Sequence, residues 1–118
     1  MIKVSVLYKN SEDCRFDMDY YCKEHIPMLL DKLGDACKGV AVDEGVAGDE
    51  PESPPPFVAS IHLFFETVED FQNAFGPHAD VILADVPNYT DAEMVVQINK
   101  VLINATRSET GELHLHRA

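Results

Sequence analysis

The sequence predicts an α+β fold of the ferredoxin-like kind, βαββαβ, with a four-stranded antiparallel sheet and both helices on one face. Three observations carry this. A period-two apolar pattern opens the chain at Ile2 to Tyr8. It recurs at Val40 to Glu44, Phe57 to Glu66 and Met94 to Leu102. Between these segments lie two stretches of helical spacing, each introduced by a capping residue.

The elements follow in order. In the first strand Ile2, Val4, Val6 and Tyr8 take one face and Lys3, Ser5, Leu7 and Lys9 the other, so one face is buried. Asn10 to Arg15 is a polar loop. Asp17 is suited to cap a helix, and Asp19 falls in its first turn, where the helix dipole favours acids. Tyr21, His25 and Leu29 then repeat at four-residue spacing on one helical face. Pro27 interrupts this pattern. It has no amide proton and its ring crowds the carbonyl of Lys23, which predicts a kink or a break before a short helix from Pro27 to Leu33. Gly34 is a suitable stop.

Gly45 to Pro56, with its Pro54-Pro55-Pro56 run and interspersed acids, is a solvated loop. Phe57 to Glu66 is apolar on both faces, which predicts a central strand covered on both sides. Thr67 caps the second helix, and Phe71 and Phe75 meet one turn apart in the core. Gly76-Pro77 ends that helix, and His78 to Ala84 adds a further helical stretch. The main domain thus spans 1 to 103. The polar tail from 104 to 118 carries an edge-strand pattern at Glu112 to His116. The sheet face away from the helices is expected to be bare and apolar, which calls for a second copy as cover.

At 118 residues the chain forms a single domain able to bury a core. Its formal charge of −12, from 21 acidic against 9 basic side chains, repels phosphate backbones and anionic lipid surfaces, so neither nucleic acid nor membrane is an expected partner. No apolar run is long enough to span a bilayer. Three cysteines without CxxC spacing fit reduced thiols in a cytoplasmic protein. Phosphate loops, dinucleotide fingerprints and zinc-protease motifs are lacking. His114 and His116 point the same way on a strand but have no further ligand at suitable spacing, so no metal and no other cofactor is expected.

The chemistry-bearing residues fall in two clusters. His25, on the inward face of the first helix, reads as a general acid/base or ligand anchor, or as a core histidine that fixes the kink at Pro27. His62, in the central strand, reads as a buried core or interface histidine or as a ligand contact. His78 either caps a helix or points into a cleft. Asp85-Val86-Pro87-Asn88-Tyr89-Thr90-Asp91 is rich in turn-forming residues, and its Asp85 and Asn88 either turn the chain or line one end of a pocket. His25 is therefore the candidate catalytic residue, with Tyr21, His62, His78, Asp85 and Tyr89 as candidate substrate contacts. Cys22, beside Lys23 and His25, has no signal that marks a thiolate site.

Taken together, the opening strand, Tyr21-x-x-x-His25-x-Pro27, Gly76-Pro77, the segment Ala84 to Asp91 and the last strand resemble the EthD family of small dimeric α/β-barrel proteins. The resemblance covers about residues 1 to 102. It implies a ferredoxin-like protomer and a homodimer whose two sheets close into one barrel. It also implies a link to the oxidative degradation of small apolar organic compounds such as ethyl tert-butyl ether, as an oxidoreductase of monooxygenase type or an accessory to one. Related barrels host cofactor-free monooxygenases, isomerases and haem enzymes, so the fold alone does not choose a reaction. A non-catalytic ligand-binding or stress-type barrel is the alternative. The tail and the Gly48 to Pro56 loop look particular to this sequence.

Overall fold

The computed structural model describes residues 1 to 116, with side chains described through Leu113. Four strands, β1 (Ile2–Lys9), β2 (Gly39–Glu44), β3 (Phe57–Phe65) and β4 (Met94–Lys100), form one antiparallel sheet in the order β2-β3-β1-β4. This is the predicted βαββαβ arrangement. Val4, Tyr8, Ala59, Ile61, Leu63 and Phe65 alternate along β1 and β3 and are buried under the helices, where they meet Leu29, Leu33 and Ile82. Nearly all of the core therefore lies on one side of the sheet.

The first helical run begins where Asp17 accepts a hydrogen bond from the Tyr20 amide at 3.0 Å. One α turn, α1 (Met18–Tyr20), is followed by a π-helical turn (Tyr21–His25) and then by α2 (Ile26–Leu33). The predicted disruption at Pro27 thus takes the form of a widened turn, with the Ile26 amide reaching back five residues to the Tyr21 carbonyl. Pro27 can donate no hydrogen bond, so the ladder loses a rung there whichever form the turn takes. Widening the preceding turn lets the helix pass through without breaking. Gly34 closes α2 with φ of 61°, a conformation that favours glycine.

On the second side Thr67 caps α3 (Val68–Phe75) by accepting from the Asp70 amide at 3.0 Å. A 3₁₀ turn at Gly76–His78 leads into α4 (Ala79–Ala84), and a further 3₁₀ turn at Val86–Asn88 leads to β4. Both 3₁₀ turns carry a proline near their start, where its missing amide proton costs nothing.

Two segments differ from expectation. The sheet face away from the helices is mixed in character. Leu7, Val58 and Phe64 share it with Ser5, Asp43, Ser60 and His62. Ser5 Oγ lies 2.7 Å from His62 Nδ1, and His62 Nε2 lies 3.4 Å from Asp43. Alternation in β3 alone suggested a second apolar face, but its neighbours β1 and β2 contribute polar side chains at the facing positions. The strand read at Glu112 to His116 is present, but in a separate hairpin: β5 (Asn104–Arg107) and β6 (Leu113–His116) pair with each other and not with the main sheet. The side chains of His114 and His116 lie outside the described residues, as do Arg117 and Ala118. No helix among the described residues is long and apolar enough to cross a membrane.

Leu63, 4% exposed at the middle of the core, supplies a direct test of this packing. Leu63→Ala should cost about 2–5 kcal/mol in chemical denaturation. Val96→Ala, at a position 60% exposed, should cost within about 0.5 kcal/mol. Equal costs would contradict a core that is centred on β1 and β3 and thins out at the edge strand β4.

Candidate functional site

The site is built where two loops are stitched together. The segment before α1 runs against the segment before β4: Asp17 donates its amide to the Tyr89 carbonyl at 2.7 Å, and Phe16 forms an isolated bridge with Thr90. Thr90 Oγ1 donates to the Arg15 carbonyl at 2.7 Å, and the Arg15 side chain donates to the Pro87 carbonyl at 2.7 Å. These bonds fix the π-helical turn, with Tyr21 and His25, beside Asp85 and Tyr89.

His25 is 3% exposed. Its ring stacks on Tyr21 with centroids 5.6 Å apart and lies 4.6 Å from the Tyr89 ring. Its Nδ1 lies 2.9 Å from Asp85 Oδ2. The other oxygen, Oδ1, accepts from the Tyr20 hydroxyl at 2.7 Å and from the Asn88 amide at 2.8 Å. Burial pushes the Asp85 pKa upward, but the bonds from Asn88, His25 and Tyr20 outweigh it and hold the carboxyl below its ordinary value. An ionised carboxylate can only accept, so His25 Nδ1 must donate, and in the neutral ring Nε2 keeps the free lone pair. No described residue pairs with Nε2. The bond to Asp85 in turn raises the pKa of Tyr20.

A cavity of about 280 Å³ lies between the sheet and the helices. Val4, Val6, Ile61, Leu63, Leu29 and Val96 are among the side chains that make its wall largely apolar, while Tyr8, Tyr21, His25 and Tyr89 stand together in that wall. The hydroxyls of Tyr8 and Tyr89 are 2.8 Å apart. Burial raises the pKa of Tyr8 against the pull of the nearby Tyr89 and Tyr21 hydroxyls. It raises those of Tyr21 and Tyr89 further, and the neighbouring Tyr8 phenol adds to both shifts. All three therefore remain neutral, and the Tyr21 hydroxyl is buried with no hydrogen-bond partner among the described residues.

The fold brings Tyr21, His25, Asp85 and Tyr89 together, with Asp85 behind the histidine and outside the cavity wall. It does not bring His62 or His78 to them. His62 projects from the opposite face of the sheet toward Ser5 and Asp43. His78 precedes α4, half-buried and away from the cavity lining. Three further residues belong to the cluster. Tyr8 was legible as the last inward position of the β1 alternation. Asn88 was read as a turn or pocket residue and Tyr20 adjoins the candidate Tyr21, but their aim at Asp85 depends on the 3₁₀ and π-helical turns. Among the described residues no group of three or more His, Cys, Asp or Glu side chains is placed to hold a metal ion.

An α+β domain with an apolar cavity tipped by a histidine–aspartate pair defines the class, and comparison with known proteins gives the family. The EthD domain model matches residues 9–93, and the chain belongs to the EthD family. The crystal structure of an EthD-like protein from Ralstonia eutropha is 43% identical, with a TM-score of 0.80, covering 83% of this chain and 88% of that one. A protein from Bacillus halodurans, described as an ethyl tert-butyl ether (EthD) family protein, shares the fold at 17% identity and a TM-score of 0.61, covering 86% of this chain and 99% of that one. No curated protein matches the chain.

The depressed Asp85 pKa ties stability to pH. A carboxyl with a folded pKa below its unfolded one stabilises the fold above the unfolded value, about 3.9, and loses that contribution as pH falls through the folded value. Denaturation midpoints should therefore fall in acid more steeply for the native protein than for Asp85→Asn, with the difference confined below about pH 4. Parallel profiles would contradict the ionised carboxylate.

Proposed function

We propose that this protein acts on a small, neutral, apolar organic compound held in the cavity between sheet and helices, with His25 as the acid/base. In this reading it is an enzyme, or an accessory to one, in oxidative degradation. The observation that carries the proposal is the pairing of His25 Nδ1 with Asp85 at 2.9 Å while the same histidine lines an otherwise apolar cavity. Such a pair leaves Nε2 as the basic atom at the ligand's edge. Tyr21 and Tyr89 both pack against the ring and would orient the ligand. A charged ligand would lose its hydration with little in the wall to replace it. The words "ethyl tert-butyl ether" in the description of the Bacillus halodurans protein are consistent with a ligand of this kind.

The burial of His25 at 3% exposure favours a second reading, a non-catalytic binding barrel whose histidine is structural. His25→Gln separates the two. Under the first, ligand binding or turnover falls tenfold or more, about 1.4 kcal/mol, with the fold nearly intact. Under the second, the same change lowers the melting temperature by several degrees, as loss of a buried hydrogen bond does in a small domain. Mass spectrometry of molecules that copurify with the protein identifies the ligand to titrate.

The reading includes a cytoplasmic homodimer in which residues 1 to 103 carry the function. Its support is the free edge strand β4, where Val95, Val96 and Ile98 are exposed. A stable pair should bury roughly 1,200 Å² or more. Sedimentation at micromolar concentration should give twice the 13.2 kDa chain mass, and a monomer would remove the dimer.

A further inference from the structure

Asp85 is the one partner of His25 that also reaches the outside of the molecule. Its side chain is 18% exposed, and it lines a groove on the outer surface with Tyr20, Glu24, Ala84 and Asn88. That groove shares no residue with the cavity lining: His25 lines the cavity, Asp85 lines the groove, and the 2.9 Å bond between them crosses the wall. We propose that Asp85 is a proton conduit, carrying protons between His25 and water in the outer groove, across the wall from the ligand.

The steps balance. His25 Nε2 takes a proton from the ligand, Nδ1 releases its own proton to Asp85 Oδ2, and Asp85 passes it to a water molecule in the groove. In the return direction a groove water protonates Asp85, Asp85 protonates Nδ1, and Nε2 gives its proton to the product. No oxidant or further reactant is needed. The hydrogen bonds from Tyr20 and Asn88 to Oδ1 hold the carboxylate in place and favour its ionised form, so the proton stays on Asp85 only briefly. The charged and titratable groups around the pair are Glu24 and Tyr20 from the first helical run and Asp85 itself beyond α4. Tyr8, Tyr21 and Tyr89 stand neutral on the cavity side.

This inference rests on the acid/base reading of His25 but is tested without a ligand, so the two can fail separately. In protein labelled with ¹⁵N-histidine, magnetic resonance measures how fast the His25 Nδ1 proton exchanges with solvent. As a conduit, Asp85→Asn should slow exchange tenfold or more, because an amide accepts the bond but cannot carry the proton, and Asp85→Glu should restore part of the rate. If Asp85 only positions the ring, Asp85→Asn should speed exchange, because the proton loses its charge-assisted bond. Ala84→Trp covers the groove from an exposed position and leaves Asp85 in place. It should slow exchange several-fold. An unchanged rate in Ala84→Trp, or a faster one in Asp85→Asn, overturns the conduit.

Discussion

A carboxylate that is only partly in contact with bulk water needs donors, and in this protein the donors of Asp85 come from three places in the chain. Tyr20 reaches it from the first α turn, His25 from the end of the π-helical turn and Asn88 from the 3₁₀ turn after it. Satisfying one carboxyl therefore fixes the register of the first helical run against the segment that leads into β4. The same contacts set which nitrogen of His25 faces the cavity. Structural and chemical roles coincide in this group, because the bonds that compensate its desolvation are those that orient the histidine.

The π-helical turn follows from this joint and from Pro27. A straight α-helix through Pro27 leaves the Lys23 carbonyl unpaired and the proline ring against it. Widening the turn shifts the residues before the proline around the helix axis, so that Tyr21 and His25 stack with planes 13° apart. Around them Tyr8, Phe16 and Tyr89 pack mostly edge to face, a geometry that aromatic quadrupoles favour. The polar atoms of the cavity wall thus sit in an aromatic cluster, and the rest of the wall is apolar.

Much of the fold was legible because its signals are local. The alternation of β1 and β3, the caps at Asp17 and Thr67 and the stop at Gly34 each depend on a few neighbouring residues. The outer sheet face was misread for the opposite reason. Whether Phe64 and Val58 share their face with Ser5 and Asp43 depends on strand order and register, which no single strand states. His25, Tyr21, Asp85 and Tyr89 could be named as candidates from residue type and position. His62 looked equivalent to them in sequence, and strand parity turned it to the other side. That Asp85 stands behind His25 follows only from the stitching of Arg15 and Asp17 to residues 87–91.

The central claim is that Asp85 holds His25 with its proton on Nδ1 and its lone pair on Nε2, facing an apolar cavity. The tautomer is directly measurable by long-range ¹H–¹⁵N correlation of the imidazole at neutral pH. The predicted spectrum shows a protonated Nδ1 and an unprotonated Nε2, and the Nε2 signal alone moves appreciably when a small apolar ligand is added. A proton on Nε2 in the free protein would contradict the account, since the ring would then offer the cavity a donor where a base is required.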